Sequence, residues 1–248
     1  MVYTKKTTNS IDNQIEISSD NLFQNLQQGI LIDNNNESKT MLIAFGGMKG
    51  IIGVPVFEFF KLTSRYSIKK VFLRDYDQVW YQNGIVGVGN DIDTITNYLK
   101  AHIKEQNVDK VVTVGNSAGG FASLLFGWLL EVDCALAFSP QTFISLYQCV
   151  LNLDYRWNFN LAKMYTSTSY KRKYLDLRKL FQTSPSRTYF HIHYCDNDFL
   201  DTRHANHMKG IPNVNLYSYP EGRHELIKLL RDNDILRKLL IQALTNNY

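Results

Sequence analysis

From residue 40 onward, short apolar runs alternate with segments of helical periodicity, and this alternation constrains the fold more than any other feature of the chain. TMLIAFGG (40–47), KKVFLRD (69–75), KVVTVGN (110–116), CALAFSP (134–140), TYFHIHY (188–194) and VNLYSYP (214–220) read as strands. VPVFEFFKLTSRY (54–66), DIDTITNYLKAHIKEQ (91–106), FASLLFGWLL (121–130) and the closing HELIKLLRDNDILRKLLIQAL (224–244) read as helices. In the second of these, Ile92, Ile95, Leu99 and Ile103 share one face, and Asp91 or Asn90 is placed to cap it. Strands alternating with helices predict a mostly parallel sheet covered on both faces. Right-handed crossovers then bring every strand's C-terminal end to one edge, where ligands bind in such sheets. NNNESK (34–39) reads as the turn of an antiparallel hairpin joining two N-terminal strands.

KVVTVGNSAGGFASLLFGWLL (110–130) raises the chemical question. Gly115 and Gly119 stand two before and two after Ser117, between a strand and a helix. Small residues there let the chain turn sharply and leave the serine exposed at the sheet edge, which is the physical content of the G-x-S-x-G elbow. A serine hydroxyl needs a base, and the base needs an orienting acid. His224, just past the last predicted strand, is placed to be the base. The acid is sought on the loop after TYFHIHYC, where DNDFLDTRHANHM offers Asp196, Asp198 and Asp201. Asp198, in mid-loop, ranks first as the catalytic acid, and Asp201 ranks a close second because it also reads as a helix N-cap. Two N–H groups should hold the oxyanion: that of Ala118, following the nucleophile, and that of Gly47 in FGGMKG, with Met48 as its fallback.

FGGM, GNSAG, DNDFLD and GRHE, in this order and spacing, resemble the α/β-hydrolase superfamily from about residue 40 to the C-terminus. The resemblance implies an eight-stranded, mostly parallel sheet and a triad of Ser117, His224 and Asp198 or Asp201. Phe45 stands where the family usually has a histidine before the oxyanion glycine, and Tyr194 replaces a common glycine. The expected function is a serine hydrolase cleaving a carboxylic ester through an acyl-enzyme, on a small-molecule ester or acyl substrate, without cofactor or metal. Acyl transfer to another acceptor on the same triad, and a non-catalytic binding role on the same fold, are the alternatives.

Residues 1–248 read as one domain, with an aromatic-rich, lid-like insertion at 141–186 before the penultimate strand. Arg74, Trp80 and Tyr81, with Met48, are read as substrate-binding, against the alternative that Arg74 and Asp75 pin a loop over packed aromatics. His191 and His193 share one face of a strand and with Asp196, His204 and His207 suggest a metal site, but His204 and His207 lie on a helix beyond the strand and nothing in the spacing forces them to converge. A net charge of +4, with 27 basic and 23 acidic residues, gives no nucleic-acid signature. No run reaches the ~18–20 apolar residues of a membrane span. Three widely spaced cysteines and no apolar leader segment point to the cytoplasm.

Overall fold

The computed structural model describes residues 29–34, 36–48 and 59–246. Within them, seven strands form one sheet: β1 Ile30–Asp33, β2 Thr40–Phe45, β3 Lys69–Leu73, β4 Lys110–Asn116, β5 Cys134–Phe138, β6 Tyr189–Cys195 and β7 Val214–Tyr219. Their order is β1-β3-β2-β4-β5-β6-β7, and all neighbours are parallel except β1 with β3. The mostly parallel architecture expected from the alternation is present, with seven strands among the described residues where the resemblance implied eight.

The expected hairpin is not. β1 pairs with β3, placing Ile32 opposite Val71, and β2 lies on the far side of β3. The connecting turn carries the chain past the entry of β3. There the Asn36 side-chain amide donates to Ile68 O, while its oxygen accepts the Ser38 N–H. Lys70 of β3 then closes on Asp33 of β1 at 2.7 Å.

Both faces of the sheet are covered, which explains why its strands read as continuous apolar runs. On β2, Met41, Ile43 and Phe45 enter one hydrophobic cluster, whereas Leu42 and Ala44 enter the other. The first cluster receives α2 (Ile92–Glu105) and α3 (Ala118–Leu130). Helix α2 follows its predicted pattern: Asp91 and Thr94 form a reciprocal capping box, and Ile92, Ile95 and Leu99 are buried. The second cluster is closed by the C-terminal segment, which is not one helix. A 3₁₀ turn at Arg223–Glu225 leads into one helix at Leu226–Asp232 and, after a break, another at Ile235–Thr245. At the break Asp234 takes the left-handed conformation (φ 59°), which aspartate and asparagine tolerate better than most residues. Of the helix expected at 54–66, Phe60–Thr63 is helical and 54–58 lies outside the described residues.

Segment 141–186 is a closed excursion between β5 and β6. Its two ends are joined by Ile144 N–H to Leu175 O and Leu177 N–H to Thr142 O. Between them lie α4 (Leu146–Asn152), α5 (Asn158–Thr166), a 3₁₀ turn at Arg172–Tyr174 and α6 (Leu177–Phe181). Here α1 is the Phe60–Thr63 turn. Cys149 of α4 is buried, and burial with the nearby Asp154 charge pushes its thiol up to about 12. Leu146, Tyr147, Val150, Leu151 and Phe159 instead face outward. No helix of the described residues is long and apolar enough to cross a membrane.

Candidate active site

The turn from β4 into α3 is built as the glycine spacing requires. A Cβ on Gly115 would fall 2.0 Å from Gly119 O, and one on Gly119 would fall 2.2 Å from Phe45 O, so neither position admits a side chain. Ser117 sits between them at φ 54°, ψ −118°, a conformation costly for a residue with a Cβ. Its N–H is held by Phe138 O of β5 at 2.8 Å. The surrounding packing therefore maintains a strained serine at the C-terminal edge of the sheet.

His224 arrives on the 3₁₀ turn after β7, and its Nε2 lies 3.0 Å from Ser117 Oγ. Its Nδ1 lies 2.8 and 3.1 Å from the two carboxylate oxygens of Asp201. The structure thus reverses the order in which the two acids were ranked. Helix α7 (Phe199–His207) begins one turn earlier than a cap at Asp201 would need. Asp198 is its N-cap, with Oδ1 accepting the N–H groups of Leu200 and Asp201. That duty commits Asp198 Oδ1 to the helix, and it is the Asp201 side chain, in the first turn, that meets the imidazole. Asp196 is exposed, with its N–H on Tyr219 O.

Burial raises the proton affinity of Asp201, but the His224 hydrogen bond and charge, with help from Arg156, outweigh it and hold the carboxyl below the usual carboxylate range. Arg156 comes from the loop between α4 and α5. Its Nη1 lies 3.3 Å from Asp201 Oδ1, and its Nε and Nη2 bind Asp154 at 3.0 and 2.9 Å. Asp154 also meets His204 Nε2 at 2.9 Å, while His204 Nδ1 accepts the Thr142 N–H. The excursion is therefore tied to the site by a buried charge network.

One residue from that excursion touches the serine itself. Gln141 is buried, and its Nε2 lies 3.1 Å from Ser117 Oγ. Its Oε1 accepts the indole N–H of Trp80 at 3.3 Å. Neither Gln141 nor Arg156 was read from the sequence. The available signal was position: Gln141 follows the C-terminal end of β5, the strand beside the elbow.

Trp80 and Tyr81 do not present open binding surface. Both are buried in the first cluster with their polar atoms committed to the protein. The Tyr81 hydroxyl reaches Gly46 O at 2.9 Å and Leu73 O at 3.2 Å. Their loop is unusual: Gln78, Trp80 and Tyr81 all have φ between 55° and 65°. The Asp75 carboxylate holds it there, accepting N–H groups from Gln78 (3.0 Å), Val79 (2.7 Å) and Tyr81 (2.8 Å). The loop is thus pinned over packed aromatics, as the alternative reading had it, although through Asp75 and backbone donors. Asn160 and Lys163 of α5 clasp it from outside through Gln78 O and Asp77. Arg74 lies over the Tyr76 ring, 4.9 Å from its centroid.

The two backbone segments expected to bind an oxyanion adjoin one another. Ala118 is the first residue of α3, where N–H groups have no intrahelical acceptor. Phe45 and Gly46 lie directly against Gly119, and Gly47 follows them. Met48 is buried in the first cluster. The remaining histidines have separate partners. His191 Nδ1 meets the Tyr217 hydroxyl and His193 Nδ1 the Tyr219 hydroxyl, both at 3.0 Å, and His207 meets Asp176 at 2.8 Å. Burial pushes His193 down to about 3. Among the described residues, no three His, Cys, Asp or Glu side chains are grouped to hold a metal ion.

Comparison of the whole chain with solved structures identifies the architecture. The capsule O-acetyltransferase of Neisseria meningitidis serogroup A superposes with a TM-score of 0.63 at 16% identity, over 86% of this chain and 90% of that one. Serine hydrolase F of Staphylococcus aureus, which binds fluorophosphonates, gives 0.57 at 15% identity, over 84% of each chain. Esterase B of Lactobacillus rhamnosis gives 0.53 at 16% identity, over 93% of this chain and 87% of that one. The fold is that of the α/β hydrolases. No protein-family model matches the sequence, and no curated protein does. The likeness to α/β hydrolases therefore lies in the path of the chain, at identities too low to carry an activity across.

Proposed function

We propose that this α/β-hydrolase-fold protein is an enzyme that transfers acyl groups through an ester on Ser117, with water as the usual acceptor and a carboxylic ester as the substrate. The observation that carries this reading is the unbroken chain from Ser117 Oγ through both nitrogens of His224 to Asp201. As Oγ bonds to the ester carbonyl carbon, its proton passes to His224 Nε2 and the carbonyl π pair moves onto oxygen. That oxyanion is met by the N–H groups of Ala118 and Gly47, each such donor being worth about 2.7–4 kcal/mol in a comparable site. When the tetrahedral species collapses, the bond to the leaving alcohol breaks and the alcohol takes the proton from His224. A water molecule then repeats the sequence on the acyl-serine, releasing the acid and returning the proton to Oγ. Asp201 stays ionised throughout, fixing the tautomer and stabilising the imidazolium. Asp198 serves the helix instead. The 141–186 excursion acts as a cover whose inner side supplies site residues.

A second acceptor class is supported by the superposition on a capsule O-acetyltransferase. In that reading a hydroxyl of a larger acceptor replaces water in the second half-reaction, with the same residues in the same roles.

The test is labelling with a fluorophosphonate, comparing the wild type with Ser117→Ala and His224→Ala. Labelling that vanishes in the first variant and falls by orders of magnitude in the second is the expected result. Folded wild-type protein that does not react with an active probe removes the enzymatic reading. For a reactive protein, partition of a p-nitrophenyl acyl-enzyme between water and added polyols then separates hydrolysis from transfer.

A further inference from the structure

We infer that Gln141 is a catalytic residue of this site and Trp80 its positioning residue, and that with the Asp201 carboxylate at the far end they leave one direction for every hydrogen bond along the triad; this rests on the acyl-serine reading above. The argument begins with donors that have no alternative. An indole N–H can only donate, so the Gln141 atom facing Trp80 at 3.3 Å must be its oxygen. The amide nitrogen is thereby turned toward Ser117 Oγ, 3.1 Å away. An amide NH₂ also only donates, so Oγ accepts there and keeps its own proton for another partner, with His224 Nε2 3.0 Å away. The ionised Asp201 carboxylate can only accept, so a neutral His224 carries its hydrogen on Nδ1 and leaves Nε2 to accept the Oγ proton. A donor-only group at one end and an acceptor-only group at the other leave a single polarity for the four bonds between them. The resting enzyme is thus held in the one tautomer that can accept the serine proton.

The Gln141 amide has a second consequence. Negative charge gathers on Oγ as its proton leaves during attack, and gathers there again in deacylation, when Oγ is the departing atom. A donor on Oγ meets both charges, whereas oxyanion donors meet only the carbonyl oxygen. Gln141 is held for this task on both sides. Trp80 orients the side chain, and the next residue, Thr142, is anchored by its N–H on His204 Nδ1 at 3.1 Å.

The experiment measures fluorophosphonate labelling rates and the p-nitrophenyl acetate burst and steady-state phases, all per titrated active site. It compares the wild type, Gln141→Met, Gln141→Glu, Trp80→Phe and the Gln141→Met/Trp80→Phe double variant, with thermal melts of each. Gln141→Met keeps the volume and removes the donor, so labelling and both kinetic phases should slow about 10- to 100-fold with KM little changed. Trp80→Phe should cost about 3- to 10-fold, because the amide loses its anchor and no longer holds one orientation. The double variant should be no slower than Gln141→Met alone, a non-additivity that simple loss of packing would not give. Gln141→Glu should be slower than Gln141→Met at pH 8, since a carboxylate opposes charge on Oγ. A folded Gln141→Met protein that labels at the wild-type rate overturns the inference. If that variant does not fold, wild-type rates in Trp80→Phe and Gln141→Glu overturn it equally. Wild-type protein that fails to label would overturn the acyl-serine reading, an outcome separate from both.

Discussion

Asp75 and Asp201 are both buried carboxylates near the C-terminal edge of the same sheet, yet their surroundings drive them in opposite directions. Asp75 is 5% exposed and faces three backbone N–H groups. Burial raises it to about 6, and those donors offset the desolvation only in part. Asp201 is 1% exposed, but an imidazole and a guanidinium face it, and their combined pull holds it below the usual range. Backbone dipoles can seat a buried carboxylate, whereas charged partners keep it ionised. The first arrangement suits a loop anchor. The second suits a group that must remain an anion while a proton moves beside it.

The comparison is broken most severely at Asp201. Asp201→Asn should keep the fold but stabilise the wrong imidazole tautomer, lowering kcat about 10³- to 10⁴-fold in ester turnover. Asp75→Asn should leave the Ser117–His224–Asp201 contacts in place and cost stability instead, about 1–3 kcal/mol, since an NH₂ would then oppose one or two loop N–H groups. Urea unfolding at several pH values sharpens the contrast. Asp75 binds its proton more tightly when folded, so its contribution to stability falls as pH rises from about 4 to about 6. Asp201 binds its proton less tightly when folded, so its contribution is full above the usual carboxylate range and is lost as pH falls through the depressed folded value. The stability gap between wild type and Asp75→Asn should therefore narrow with rising pH, and that for Asp201→Asn with falling pH. Parallel slopes would show that the two environments are not distinct. The smallest effect is expected for Tyr81→Phe. It removes only the hydroxyl on Gly46 O and Leu73 O, for about 1 kcal/mol in denaturant.

The contrast also marks what the sequence could reveal. Ser117 and His224 were legible because each lies beside a strand whose end is written in the sequence, and Gly115 and Gly119 leave the elbow little choice. Asp201 and Asp198 were not separable, because they differ by a single helical turn. Which one caps α7 and which faces the imidazole depends on the residue at which the helix begins. Trp80 and Tyr81 were read as pocket lining because aromatics after a strand end often are. Their inward packing goes with three left-handed residues without a glycine among them, in a loop whose N–H groups the Asp75 carboxylate gathers. Gln141 and Arg156 reach the site from a segment whose local pattern announces helices and aromatics, not chemistry. Their roles arise from where the excursion folds back. The misplaced β1 has the same origin: a turn signal shows that the chain reverses, but not which strand it will meet.

Cys149 gives the excursion a chemical clock of its own. Cys134 and Cys195 lie on β5 and β6, inside the sheet, so exposing them requires the sheet to come apart. Cys149 lies on α4 of the excursion, where burial and the nearby Asp154 charge raise its thiol pKa. Its alkylation should require only local opening around α4, whereas that of the other two should require the strands to separate. The modification rate of this one sulfur, set against that of the other two, therefore separates local opening of α4 from unfolding of the sheet.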